Sequence, residues 1–484
     1  MTSTFHGLEL GKRALMAQQT ALSTIGHNIS NANSAGYTRQ RVDLHATNAI
    51  SVTGSSSYKL GTGVEVSQIE RLREDYLDVQ LRNETKNSGY WEAKSESLSK
   101  IEEILNEPSD EGLSYVLNEF WKGWQELAKD PDSAAARAVV RQRGVAMTET
   151  FKYVVDSLDQ MQTDLKNVIV TKRDEVNSLA TQIGSLNDQI SRLVANSYEP
   201  NDLFDQRDLL IDQLSKIVDV KVNKSTNGMV DISVGGGTLV QGKTANTLTV
   251  EFDQTSGLVN PDSIMLGDKK INLGTGELLG RIESYGIEGG GSESTIPYIK
   301  NKLNDYAMTI ANAINEAHQN GESLDNINNA TTTKVDFFTG SSAKDLTVNP
   351  LIMESLDLIA AAQKDPATNI ASTGNGENAK AIADVLLTKN LNFPESSSTV
   401  DDFYRNIIGQ LGIDSQEAGR MFDNSQGIIK QIENRRQSIS GVSIDEEMAN
   451  MIKFQQAYNA AARVVSSVDE CLDKVINGMG RVGL

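Results

Sequence analysis

The sequence predicts a mainly α, elongated, multi-domain protein with paired terminal helices and an all-β module inserted near its middle. Three observations carry that prediction. Leu8, Leu15, Leu22 and Ile29 fall seven residues apart at one end of the chain, and Met451, Tyr458, Val465, Leu472 and Met479 repeat the spacing at the other. Residues 133–195 contain no proline and step their apolar positions by threes and fours. Between about 217 and 275 the apolar period changes from helical to alternating.

Residues seven apart share one side of a helix, so each end presents a narrow apolar stripe. Neither stripe has a partner nearby in sequence. Burying both against each other brings the termini together and turns everything between into an insertion. Taken alone, the heptads equally fit an ordinary internal helix pair. The first helix is expected over 5–30 and stops in Asn28-Ile-Ser-Asn31-Ala-Asn33-Ser-Ala-Gly36-Tyr37, where Asn and Gly turn the backbone. Extended strands and loops follow, and helix resumes from about Ile69 to Leu105 with Leu72, Tyr76, Leu98, Ile101 and Leu105 inward. A short helix carries Leu113, Leu117, Phe120, Trp124 and Leu127, and Asp132 is a plausible cap for the next.

In the proline-free stretch Leu165, Ile169, Val176, Leu179, Ile183, Leu186, Ile190 and Leu193 form one face, with Lys172 filling a gap. A single helix here spans roughly 90 Å. Such a rod needs helical partners, for which 297–319 and 400–438 are the candidates. A further helix runs from Asn201 to Lys216. Val218, Val220 and Val222 then alternate, Asn227-Gly228 marks a hairpin turn, and Val230, Ile232 and Val234 alternate again. Helix returns near Ile296. Residues 320–398 are mixed, with a strand and turn near Asp345–Pro350 and a helix over Ala379–Thr388. Ser443-Ile-Asp-Glu446 reads as a capping box opening the last helix. The expected domains are 1–60 with 440–484, 61–216 with 296–439, and 217–295.

A net charge of −20 argues against nucleic acid as a partner, because phosphates repel such a chain. No run of about 18 apolar residues is present, so no membrane insertion is expected. The apolar residues near Met1 are spaced at helical intervals and do not form the core of a cleaved signal peptide. With Cys471 as the only cysteine, no intrachain disulfide can form. His6, His27, His45 and His318 are scattered without zinc spacing, and Gly274-Thr-Gly276-Glu-Leu-Leu-Gly280 lacks the Lys-Ser/Thr pair that grips phosphate. No catalytic site, metal or cofactor is expected, and the protein reads as a non-enzyme.

Three segments carry a resemblance. Asn28–Tyr37 is similar to the signature of the rod, hook and hook-associated axial proteins of the bacterial flagellum, with Ser34-Ala35 where that signature carries Thr-Pro. Ser443–Arg463 resembles the family's C-terminal helix, and Asn201-Asp-Leu-Phe-Asp-Gln-Arg-Asp208 resembles a segment of its hook-associated members. The resemblance implies a structural part of the hook–filament junction, exported unfolded by the flagellar type III apparatus and located in the extracellular flagellum without a cleaved signal peptide. The implied partners are the hook protein, the second junction protein (hook-associated protein 3), further copies of the chain in a ring, and an export chaperone on the C-terminal helix. The implied assembly interface is Leu8, Leu15, Leu22, Ile25, Ile29, Met448, Met451, Tyr458, Val465, Leu472 and Met479, with Asn28, Asn31, Asn33, Gly36 and Tyr37 forming the motif turn. The competing readings are another axial protein, such as the second junction protein or the hook protein, and a cytoplasmic coiled-coil scaffold.

The heptads also suggest how assembly is controlled. Alone, the terminal stripes are short, so the monomer's ends should fray, and neighbouring copies would supply the surface that orders them. Charge favours the pairing. Lys12, Arg13, Arg39 and Arg41 outnumber Glu9 and Asp43 in the first 45 residues, while acids outnumber bases after Ser443.

Overall fold

The computed structural model describes residues 5–51, 59–387, 390–394 and 396–478. Helix α1 (His6–Ser30) and the last helix, α12 (Ile444–Asp473), pack against each other. They run antiparallel, with Gly7 beside Val468, Gly11 beside Val465, and Asn28 bonded to Glu447. The sequence expectation of paired termini is therefore met within one chain. A β-ribbon follows α1. Strand β1 (Gln40–Ala46) pairs antiparallel with β4 (Val64–Arg71), and the small strands β2 (Ile50–Ser51) and β3 (Lys59–Leu60) pair beyond it. The ribbon lies against α1. A domain boundary at residue 60 would cut it in two, so its hydrogen bonding carries the terminal unit to Arg71. Strands were expected here, but β1 and β4 alternate only weakly, so their pairing across residue 60 was not.

The rod begins with α2 (Asp75–Leu105) and α3 (Leu113–Lys129), then α4 (Ala134–Val194) and α5 (Asn201–Ile217). The Ser133 side chain caps α4 by accepting from the Ala136 amide. As the spacing predicts, Leu165, Ile169, Val176, Leu179, Ile183 and Ile190 are buried, but Leu193 is exposed and Asn187 is fully buried. Tyr76, expected inward, is exposed. Leu113, Leu117, Phe120, Trp124 and Leu127 of α3 all enter the core, while Lys172 reaches Glu277.

The β module lies along α4 and shares its apolar core. Strands β5 (Val220–Lys224), β6 (Val230–Val234), β7 (Gly237–Gln241) and β8 (Thr244–Ala245) form an antiparallel sheet in that order. Val230, Ile232 and Val234 alternate inward, and Asn227 and Gly228 both take positive φ in the turn between β5 and β6. Three short strands, β9 (Leu248–Thr249), β10 (Met265–Leu266) and β11 (Lys269–Lys270), make a second sheet. Asn187 ties the module to the rod: its amide donates to the Val230 and Gly242 carbonyls and its oxygen accepts from the Val230 amide. A buried asparagine with its bonds satisfied fixes register in a way that an apolar residue cannot.

Helices α6 (Glu277–Tyr285) and α7 (Thr295–Asn320) return to the bundle, so 277–285 is helical within the stretch expected to be β-rich. The poorly legible stretch holds α8 (Leu324–Asn329), β12 (Phe338–Thr339), β13 (Thr347–Val348), α9 (Pro350–Glu354), α10 (Glu377–Leu387), β14 (Leu391–Phe393) and β15 (Ser396–Ser398). Helix α11 (Val400–Ser440) then runs back along α2 in antiparallel register, as bonds from Ser415 to Glu102 and from Gln426 to Ser88 show. It was expected beside α4. That long helix is instead flanked by α3, α5, α6, α7 and the sheets, which leave α2 as the partner of α11.

His318 sits at the centre of the illegible region, packed edge-on against Trp124 and Phe337. Its Nδ1 is 2.7 Å from the Val335 carbonyl and its Nε2 accepts from the Ala360 amide. That pattern suits one neutral tautomer, and burial lowers the pKa to about 4. Because the folded value lies below the unfolded one, the contribution is complete above about pH 6.5 and is lost as pH falls toward 4. The loss is of the order of 3 kcal/mol at most. Denaturant titrations should show stability declining between pH 7 and 4.5, and His318→Asn should flatten that slope while lowering stability at neutral pH.

Candidate functional site: the seam and hub of the paired termini

Seven-residue spacing on α1 places Ala21 with Gly7 and Ile25 with Gly11, and all four belong to the face that meets α12. Added Cβ atoms at Gly7 and Gly11 would come within 3.0 and 2.6 Å of Val468 and Val465, so the helices touch where side chains are absent. Ala17, Ala21 and Ile25 are buried, whereas Leu8, Leu15, Leu22 and Ile29, one position along, are only half-buried. The expected leucine stripe therefore borders the seam rather than filling it, because small residues let the backbones approach.

On α12, Met451, Tyr458, Val465 and Leu472 are half-buried along the predicted line. The second line of the heptad, Glu447, Phe454, Ala461 and Val468, was missed, and it contains the helix's two buried residues, Glu447 and Ala461. Met448 was expected in the seam but is 53% exposed. It lies one position beyond Glu447 and forms an outer ridge with Ile444 and Ile452, which are equally exposed. Met479 lies outside the described residues.

The base of the seam is a polar hub. Asn28 is buried and uses its amide fully: Nδ2 donates to the Gln40 carbonyl (2.9 Å) and to Glu447 (3.0 Å), while Oδ1 accepts from the Tyr37 hydroxyl (2.8 Å) and the Gln40 amide (3.0 Å). Arg39 grips Glu447 through Nε at 2.7 Å and Glu446 through Nη1 at 2.7 Å. This changes the capping box: Ser443 accepts from the Glu446 amide, but the Glu446 carboxylate turns to Arg39 and does not close the box on its own helix. Asn31 donates to the His27 carbonyl at the helix end, Asn33 is exposed, and Gly36 takes φ +77 with Leu209 of α5 packed beside it. Burial, and then Asp202, Asp205 and Glu447, raise the Tyr37 pKa, so its hydroxyl keeps the proton it donates to Asn28.

Helix α5 presents acids to the hub from the opposite side. Asp202 accepts from Gln40 and pairs with His27, and Asp205 accepts from the Thr38 amide. Arg71 bridges Asp205 (2.8 Å) and Asp208 (2.9 Å), with its guanidinium over Phe204. Arg73 binds Asp78 at 2.6 Å, and Arg82 and Arg436 converge on Asp212. Burial works to raise Asp208, but Arg73, Arg71 and Arg207 outweigh it and hold the carboxyl low. For Asp205 burial prevails and the pKa is raised. The network welds α1, the ribbon, α2, α5, α11 and α12 at one point. Reading the sequence identified Asn28, Tyr37 and the Asn201–Asp208 segment but not their mutual contact. Glu447 could have been found from its heptad position seven residues before Phe454.

A paired N- and C-terminal helix, an asparagine turn locked at its base and a long helical rod define the class of flagellar axial proteins. Family models agree: residues 8–38 match the flagella basal body rod protein, 433–478 the C-terminal model of the flagellar basal body rod FlgEFG proteins, and 98–338 the helical domain of the flagellar hook-associated protein FlgK. The chain is 42% identical to flagellar hook-associated protein 1 of Bacillus subtilis over 99% of both chains. It is 27% identical to the Salmonella typhimurium protein of that name over 96% of this chain and 98% of the other. The flagellar hook junction protein FlgK from Burkholderia pseudomallei shares the fold, with a TM-score of 0.60 at 14% identity over 76% of this chain and 100% of that one. The chain belongs to the flagellar hook-associated protein 1 family, and it is a structural protein of the hook–filament junction.

Proposed function

We propose that the chain travels through the flagellar export channel and polymerises at the growing tip through its terminal helices. The observation that carries this reading is the poverty of the seam. Glu447 and Ala461 are the buried residues of a 30-residue helix, while Ile444, Met448 and Ile452 face solvent. Burying a large apolar side chain contributes roughly 1.5–3 kcal/mol, so covering that ridge with neighbouring copies stabilises the pair only on assembly. Hook protein below, the second junction protein above and sister copies alongside fit this reading. The terminal unit, the helical rod and the β module then serve as inner, middle and outer parts. The charged groups of the polar hub pair with one another across α1, the ribbon, α2, α5, α11 and α12, which supports a structural role.

The reading is tested by imaging flagella from a strain lacking this gene. Hooks without attached filaments are expected, and normal filaments would refute it. We also assign the export chaperone to the C-terminal helix. Deleting residues 443–484 should abolish co-purification of a small bound chaperone, and retained binding would refute that placement.

A further inference from the structure

Helix α11 is held firmly at both ends. Phe403 stacks on Phe393 at 3.9 Å and Tyr404 on Tyr306 at 5.2 Å. From Ser415 onward, bonds to Glu102, Ser88 and Asp212 fasten it to α2 and α5. The ten residues between, Arg405–Asp414, differ. Their side-chain bonds among the described residues stay within the helix, Arg405 to Asp401 and Gln410 to Asp414. A cleft of about 700 Å³ lies under this segment, with Asn406, Gln410 and Asp414 facing Trp91, Tyr298 and Ile299. On the open side, Gly409 and Gly412 have no atom within 4 Å of where a Cβ would stand, and Ile413 is 60% exposed.

Glycine inside a helix is costly, and packing usually explains it. Here no neighbour requires it. Ile407 and Leu411 are buried, and Ile408 packs partly against the core. A helix clamped at both ends, thinned in the middle and bordered by empty space on one side can bow without breaking its clamps.

We propose that Arg405–Asp414 is the bending element of the rod, a compliant stretch that flexes into the cleft while α2 and the far half of α11 stay rigid. The part assigned to it rests on the junction reading: copies around a rotating junction experience different strains, and a compliant helix absorbs the difference without breaking contacts at either end.

Amide hydrogen exchange on the full chain tests the bending itself, whatever the chain's role in the flagellum. Backbone amides of 405–414 should exchange at least tenfold faster than those of 420–435, and Gly409→Ala with Gly412→Ala should slow them by about fivefold to thirtyfold, from the helix propensity gained. Uniform protection along α11, or no slowing in the double variant, would overturn the proposal. A filling variant, Asn406→Phe, should also slow exchange in 405–414 by occupying the cleft. Unchanged rates in that variant would show that the cleft plays no part. Failure of the junction reading is seen separately, as normal filaments in the deletion strain.

Discussion

Replacing Glu447 with leucine is expected to release α12 from its register and stop junction assembly. Glu447 is 2% exposed and accepts from both Arg39 and Asn28. Its loss leaves part of a guanidinium and one asparagine N–H buried without partners, and breaking such a pair typically costs about 3–5 kcal/mol. The terminal pair buries few large apolar residues, so a loss of that size is comparable to what Ala17, Ala21, Ile25 and Ala461 supply. Glu447→Gln keeps one acceptor oxygen, for Arg39 or for Asn28, sets its NH2 against the other donor, and should cost less than the leucine. Circular dichroism and amide exchange would show loss of helix confined to 6–30 and 444–473, with the rod intact. Motility should fall with the leucine variant and persist in part with glutamine. Equal loss in both would mean that charge, not register, is what Glu447 supplies.

The second expectation separates the inner seam from the outer ridge. Ile25→Asp places a carboxylate where the side chain is 5% exposed and should unpair α1 from α12 even in the monomer. Met448→Asp, at a position 53% exposed, should leave the monomer's helix content unchanged yet prevent assembly by charging the surface that neighbours cover. Leu22→Asp, half-buried at the seam's edge, should fall between the two. Sedimentation of the purified variants and imaging of filaments in complemented cells would check this. Normal filaments with Met448→Asp would remove the outer ridge from the assembly interface.

Much of this architecture was legible in sequence, and the limits have physical causes. Helices α1, α3, α4, α7, α11 and α12 were placed to within a few residues because their periodicity runs through several turns. The β5–β6 hairpin was visible because Asn227-Gly228 supplies two positive-φ residues in a row. Extended strands were expected after α1, but the pairing of β1 with β4 was not, because it depends on α1 as a backing surface, which no local pattern records. The partner of α11 was misassigned because periodicity defines a face, not what covers it. In the seam, the leucines drew attention one position away from the true contact: glycine and alanine carry no apolar signal, yet they decide where helices approach. Asn28 was found through its motif. Its partner Glu447, 419 residues away, looked like one more acid on a helix, and only the fold shows that Arg39 and Asn28 enclose it.

Comparing amide exchange of residues 444–473 in dilute monomer with that in intact flagella tests the central claim most directly. Apart from the first turns held by Arg39 and Asn28, the helix should be only weakly protected in the monomer, where the pair with α1 is marginal, and become strongly protected in the flagellum. Equally strong protection in both states would show that the seam is self-sufficient and that assembly does not order it.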